Sequence, residues 1–300
     1  DNCSEAGIVG VSSHNSSSVL NTPVTGQPAA DTNTVGAADL STSLQKQMLV
    51  LMDDHLSEDG SRVNYAALRV SSAFIAFCRA VSALSTLPLE ALGSSVPLND
   101  RKSFWINLYN VLVLHATAVL GAPVDAETRS AFFKGDSGAA YDVCGVRFCL
   151  DDIEHGILRC NALPVGASSP RFAMASDPRL SLVLPEPVDP RIHFALNCGA
   201  RSCPPIKFYA ADRLEESLAL STRAFLEADL ACDLDSGELS CTKLLDWYGV
   251  DFGKDVRARI ERLRMLLEGS SLYAALGELL KANTEPRLEF RAYDWASNEA

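Results

Sequence analysis

One run constrains this chain's fold more than any other: LNDRKSFWINLYNVLVLHATAVLG, residues 98–121. Asp100 is the expected helix N-cap and Gly121 the expected stop. Between them the helix is apolar nearly all round, so it belongs at the centre of the molecule, with other elements wrapped about it. The uninterrupted apolar part, VLVLHATAVLG, is broken by His115 and falls short of the ~18 residues of a membrane span.

The rest of the chain supplies the wrapping. Residues 1–36 are rich in Ser, Thr, Asn, Gly and Pro and are expected to be a disordered tail or linker. Leu44, Met48, Leu51 and Met52 share one face of a helix expected over 40–56, and VNYAALRVSSAFIAFCRAVSAL reads as another helical stretch. AYDVCGVRFCLDD predicts a hairpin around Gly145, and LDDIEHGILR a short helix. Prolines 164, 170, 178, 185, 187 and 190 mark a long loop, after which RIHFALNCG is expected as a strand. Helices follow near 211–228, 254–268 and 271–282, and EFRAYDWASN is aromatic enough to dock. Without a regular βαβα alternation the expected class is α+β: a single helix-rich domain over 37–300 with a small, mostly antiparallel sheet.

Charge and cysteines narrow the chemistry. A formal charge of −12 disfavours nucleic acid as a partner. The nine cysteines are odd in number and several sit in apolar runs, as Cys78 does in AFIAFCRAV; this fits a reducing, cytoplasmic compartment. No GxGxxG, P-loop pattern or C-x2-C is present, so neither a cofactor nor a metal is expected.

Three stretches carry candidate site residues. In FWINLYN, Asn107 and Asn110 share a helix face; they either clamp neighbouring backbone or, as an oxyanion donor, serve catalysis. In LDDIEHGILR, Glu154 and Arg159 flank His155, which near a helix N-terminus stays a neutral base. In HFALNCGARSCPP, a regular strand would put His193 and Asn197 on one face and Cys198 on the other. His193 then cannot serve Cys198, and His155 becomes the base. Gly199 permits a sharp turn. Cys203 precedes Pro204 at the expected start of a helical turn, where free N–H groups lower a thiol's pKa. Cys198 and Cys203 are both candidate nucleophiles, whereas Cys144 and Cys149 in the hairpin are expected to be structural.

In this order, FWINLYN, LDDIEHGILR, RIHFALNCGARSCPPI, WYGVDFG and YDWASN resemble the family known as domain of unknown function 547, from roughly Val63 to Asn298. The resemblance implies a single α+β domain and carries no established reaction. It marks Asn107, Asn110, Glu154, His155, Arg159, Cys198 and Asp294 as motif positions, with His193 beside them. Some plant relatives have Ser where this chain has Cys203, which favours Cys198 as the nucleophile, against the alternation just described. Relatives are fused to leucine-zipper, glutaredoxin or DEP segments. Three functions are therefore carried forward. The first is a cysteine-dependent hydrolase or acyl transferase acting on an amide or thioester, with His155 as base. The second is a non-catalytic module that binds a peptide or protein partner. The third is a thiol redox accessory domain pairing Cys198 with Cys203.

Overall fold

The computed structural model describes residues 19–22, 37–282 and 285–300. The expectation of a disordered tail over 1–36 thus falls almost wholly outside the described residues. Four residues of that span are described and pack on the domain: Leu20 N–H donates to Ala140 O at 2.9 Å, and buried Asn21 bonds the backbone of Asp142 in both directions and Val81 O.

Helices α1 (Ala37–His55), α2 (Tyr65–Val70) and α3 (Ser72–Val81) pack beside the long α4 (Leu98–Leu120). The stretch read as one helical run is divided at Ser71. Its extended backbone ends α2, and its hydroxyl accepts from Phe74 N–H at 3.0 Å to cap α3. α4 begins directly after Pro97, so Asp100 lies in its first turn rather than at the cap, where its charge still suits the helix dipole. The expected stop is in place, with Gly121 at φ +84°. By length and composition α4 could cross a membrane, but 89% of its apolar window is buried inside the protein. Phe104, Leu108 and Leu112 are all buried, as a central helix requires.

After α5 (Ala126–Lys134) come β1 (Ala140–Val143) and β2 (Val146–Cys149), an antiparallel hairpin with Tyr141 opposite Phe148. Residues Asp152–Leu158 then form a π-helix, wider than the α-helix expected. The chain returns through the proline-rich loop to Pro190–Phe194, a 3-10 turn and not the expected strand. Asp189 caps this turn by accepting Arg191 N–H at 3.1 Å, and Pro190 occupies its first position. Ile192 to Asn197 are all buried, so no alternation exists and the face argument about His193 and Cys198 lapses.

The C-terminal part comprises α6 (Leu214–Asp229), β3 (Ala231–Asp233), β4 (Glu238–Cys241), α7 (Leu244–Trp247), α8 (Gly249–Phe252), α9 (Val256–Leu266), α10 (Ser271–Lys281) and β5 (Arg287–Phe290). β3 pairs antiparallel and β5 parallel with β4. The class is α+β, helix-rich, with two of the three strand pairings antiparallel. A large apolar cluster surrounds α4, and a smaller one joins α6, α9, α10 and β4, with Phe194 reaching into it against Phe225 and Phe252. The final residues dock as expected: Asn298 N–H donates to Gly199 O at 2.9 Å, and Tyr65 Oη donates to Asn298 Oδ1 at 2.9 Å.

Candidate functional site

The loop holding Cys198 and Cys203 is shaped by asparagines. From α4, Asn110 accepts the N–H of Asn197 at 2.9 Å and donates to Ala195 O at 2.9 Å. Asn197 then accepts Gly199 N–H at 2.8 Å and donates to Pro204 O at 2.7 Å, stapling the two ends of the loop together. Gly199 turns the chain at φ +84°, a backbone region that favours glycine. Asn107 clamps Tyr209 in the same two-way manner, at 3.0 and 2.8 Å. Both asparagines of FWINLYN are therefore backbone clamps. Asn107 uses both ends of its amide on Tyr209 and makes no hydrogen bond to either thiol, so the oxyanion role has no geometric basis.

Within this loop the two sulfurs lie 2.6 Å apart. Cys203 Sγ accepts the Cys198 N–H at 3.0 Å and sits 3.1 Å from Tyr293 Oη, which is also 3.4 Å from Cys198 Sγ. Burial would raise the pKa of Cys203, but the Cys198 thiol, the Tyr293 hydroxyl and the N–H groups of Cys198 and Ala200 outweigh it and pull the value below that of an ordinary thiol. Cys198 moves the opposite way, because it donates to Cys203 and is itself buried. Tyr293 keeps its proton firmly, through burial and its place beside two sulfurs. The surroundings thus favour the charged form at Cys203 and the protonated form at Cys198 and Tyr293. The expected helical turn at Pro204 is absent, and these N–H groups come from the loop itself. Cys203 and Tyr293 line one wall of a surface cavity of about 330 Å³. Asp294 shapes the rim, its N–H donating to Ser202 Oγ at 2.8 Å.

A second cluster lies behind the loop and is almost wholly buried. The π-helix brings Glu154, His155 and Arg159 to one place. Arg159 grips Asp251 of α8 with two hydrogen bonds, at 2.6 and 2.9 Å, and donates to His155 Nδ1 at 2.9 Å. A guanidinium only donates, so His155 carries its proton on Nε2. Burial first, then the charges of Arg159 and His193, lower the pKa of His155 against the pull of Glu154. His193 Nε2 bonds Asp251 at 2.8 Å and its ring stacks on Tyr248 with centroids 4.0 Å apart. Glu154 accepts from Tyr109 Oη at 3.1 Å, and Tyr248 acts on the same carboxyl. Burial would raise Asp251, yet His193 and Arg159 hold it at about 2.

The predicted site residues thus divide. Glu154, His155, Arg159 and His193 meet in the buried cluster, while Cys198, Cys203 and Asp294 meet at the surface loop. Among the described residues neither of these thiols has a histidine partner, and His155 makes no hydrogen bond to them. Tyr109 and Tyr248 feel charge from both Glu154 and Cys198, and so mark where the clusters adjoin. Sequence reasoning missed Tyr109, Asn197, Tyr248, Asp251 and Tyr293. WYGVDFG and YDWASN held the signal for the last three, but only Asp294 was drawn from them.

Residues 94–226 match the family described as protein of unknown function, DUF547. The match is narrower than the Val63–Asn298 span of the motifs, and leaves Tyr248, Asp251 and Tyr293 outside it. No curated protein and no solved structure matches the chain. The match takes in α4, the π-helix and the Cys198–Cys203 loop, so this segment is similar to the DUF547 family.

Proposed function

We propose that this chain is a thiol–disulfide redox domain with Cys203 as attacking thiolate and Cys198 as resolving thiol. The observation that carries this reading is the contact between the two sulfurs, 2.6 Å apart, with the hydrogen-bond donors gathered on Cys203. Cys203 also lines the cavity, whereas Cys198 is not among its lining residues. In the first step Cys203 thiolate attacks one sulfur of a substrate disulfide. That S–S bond breaks, one thiolate leaves and takes a proton from water, and a mixed disulfide forms. Cys198 then attacks the Cys203 sulfur, and its proton passes to the second departing thiolate. The substrate gains two electrons as two thiols, and the protein is left with a Cys198–Cys203 disulfide. A dithiol from a reducing, cytoplasmic setting resets the pair.

This ordering is favoured over the cysteine hydrolase because acyl transfer needs a base on the thiol and later a proton for the leaving group. His155 is committed to Arg159 through Nδ1. The buried cluster instead acts as a brace. It ties the π-helix to the 190–194 turn that leads into the loop, and to α8.

The test is the pH profile of alkylation of single-site variants. In Cys198→Ser the Cys203 thiol is expected to react fastest of all the thiols, with a midpoint below the ~8.5 of free cysteine. In Cys203→Ser the fast phase disappears. His155→Ala leaves the fast midpoint in place under the dithiol reading and raises it under the hydrolase reading. Uniformly slow alkylation at every site refutes both and leaves the interaction module.

A further inference from the structure

The cavity beside Cys203 differs in charge from the rest of the molecule. Its wall carries Arg201, Lys243 and Arg291 against a single carboxylate, Asp229, in a chain of net charge −12. Arg291 bonds Asp229 through both a carbonyl and the carboxylate. Lys243 pairs with exposed Asp246 at 2.7 Å. Arg201 is exposed, its guanidinium donates only to Ser297 O at 3.3 Å, and no ion pair among the described residues includes it. Arg201 also lies inside the loop between the two cysteines, so its charge travels with the reacting sulfur. Besides Cys203, the remaining lining is aromatic, small or hydroxyl-bearing: Ser202, Phe225, Ala228, Thr242, Ala292 and Tyr293. A space of about 330 Å³ suits a small molecule and not a folded partner.

We propose that the substrate is a small disulfide whose sulfurs are flanked by carboxylates, with Arg201 as the principal anion-recognising residue and Lys243 and Arg291 supporting it. The inference rests on the dithiol reading above and deepens it. The cations lower the energy of an incoming anion where the attacking sulfur is itself anionic, and without them two negative charges would repel. Cationic focusing raises local substrate concentration and is weakened by salt.

Two aromatic disulfide probes separate the charge effect from the thiol effect: the dicarboxylate dithiobis(nitrobenzoic acid) and the uncharged dithiodipyridine. Each is mixed with reduced protein, and the release of aromatic thiol is followed through the first, Cys203-dependent phase. The expected result is that Arg201→Ala lowers the ratio of dicarboxylate rate to uncharged rate by about three- to tenfold. Arg201→Lys restores most of that ratio, and added salt reduces it in wild type but little in Arg201→Ala. A ratio unchanged in Arg201→Ala overturns the proposal, as does equal slowing with both probes, which would make Arg201 a loop-shaping residue. If neither probe gives a Cys203-dependent phase, the dithiol reading itself fails, and that outcome is distinct from a phase that is present but blind to charge.

Discussion

Asp251 is the residue on which the buried cluster turns. It receives two bonds from Arg159 and one from His193, and all three side chains are buried. Removing the carboxylate leaves the buried Arg159 guanidinium without its partner, so Asp251→Asn is expected to cost about 3–5 kcal/mol of stability in denaturant unfolding. The pH dependence has a defined sign. The folded carboxyl sits at about 2, below the ~3.9 of an unfolded aspartate. As pH falls the unfolded chain takes up its proton first. The stabilisation is therefore complete above pH ~4 and lost as pH drops through about 2. Thermal midpoints measured from pH 5 down to pH 2 should fall more steeply in wild type than in Asp251→Asn. None of this was legible from spacing: Asp251 lies 92 residues from Arg159 and 58 from His193. The asparagine clamps were legible, because a buried amide on a central helix must pair with something, and nearby backbone is the commonest partner.

At the scale of elements, patterns that depend on one face were read well and those that depend on a cap were not. The nearly all-apolar run gave α4 and its burial, and the turn at Gly145 gave the hairpin. The stretch IHFALN imitates a strand because four of its six residues are apolar, but Asp189 and Pro190 start a 3-10 turn instead. β3, β4 and β5 were overlooked, since ACD, ELSC and RLEF are short. The π-helix had no signature in the sequence at all. Its packing rests on Gly156, where an added Cβ would lie 2.2 Å from the ring of Phe172. Phe172 is buried and its backbone is held at both N–H and C=O by Asn161, so it cannot withdraw freely. Gly156→Ala is expected to cost about 1–3 kcal/mol by overpacking. Calorimetry checks it, and an unchanged midpoint would show that the ring moves aside.

Across the whole molecule, the site is assembled from distant chain segments. α4 supplies the clamp, residues 195–204 the thiols, and the C-terminal segment Tyr293 and the rim. Asn298 and Ala300 tie that segment back to Gly199 and Val63. The N-terminal side contributes a similar tie in Asn21. Asn21→Ala would leave the backbone of Asp142 and the carbonyl of Val81 without their partner, at a cost of about 1–3 kcal/mol. The expected outcome is a lower unfolding midpoint with an unchanged alkylation profile at Cys203, since no hydrogen bond among the described residues joins Asn21 or the hairpin to the loop. The fold class was visible in the sequence because element composition sets it. The site was visible only in part, because which clusters meet depends on how the C-terminal segment returns.

The measurement that bears most directly on the dithiol pair is a disulfide map. Reduced protein is treated with one equivalent of a disulfide oxidant, remaining thiols are alkylated, and the chain is cut with trypsin. Cleavage after Arg201 falls between the two cysteines, so a Cys198–Cys203 bond keeps two peptides joined until reductant is added. The expected result is that linked pair as the main product, with the other thiols alkylated. Alkylated Cys198 beside a lasting mixed disulfide on Cys203, or oxidation at any other pair, would contradict it.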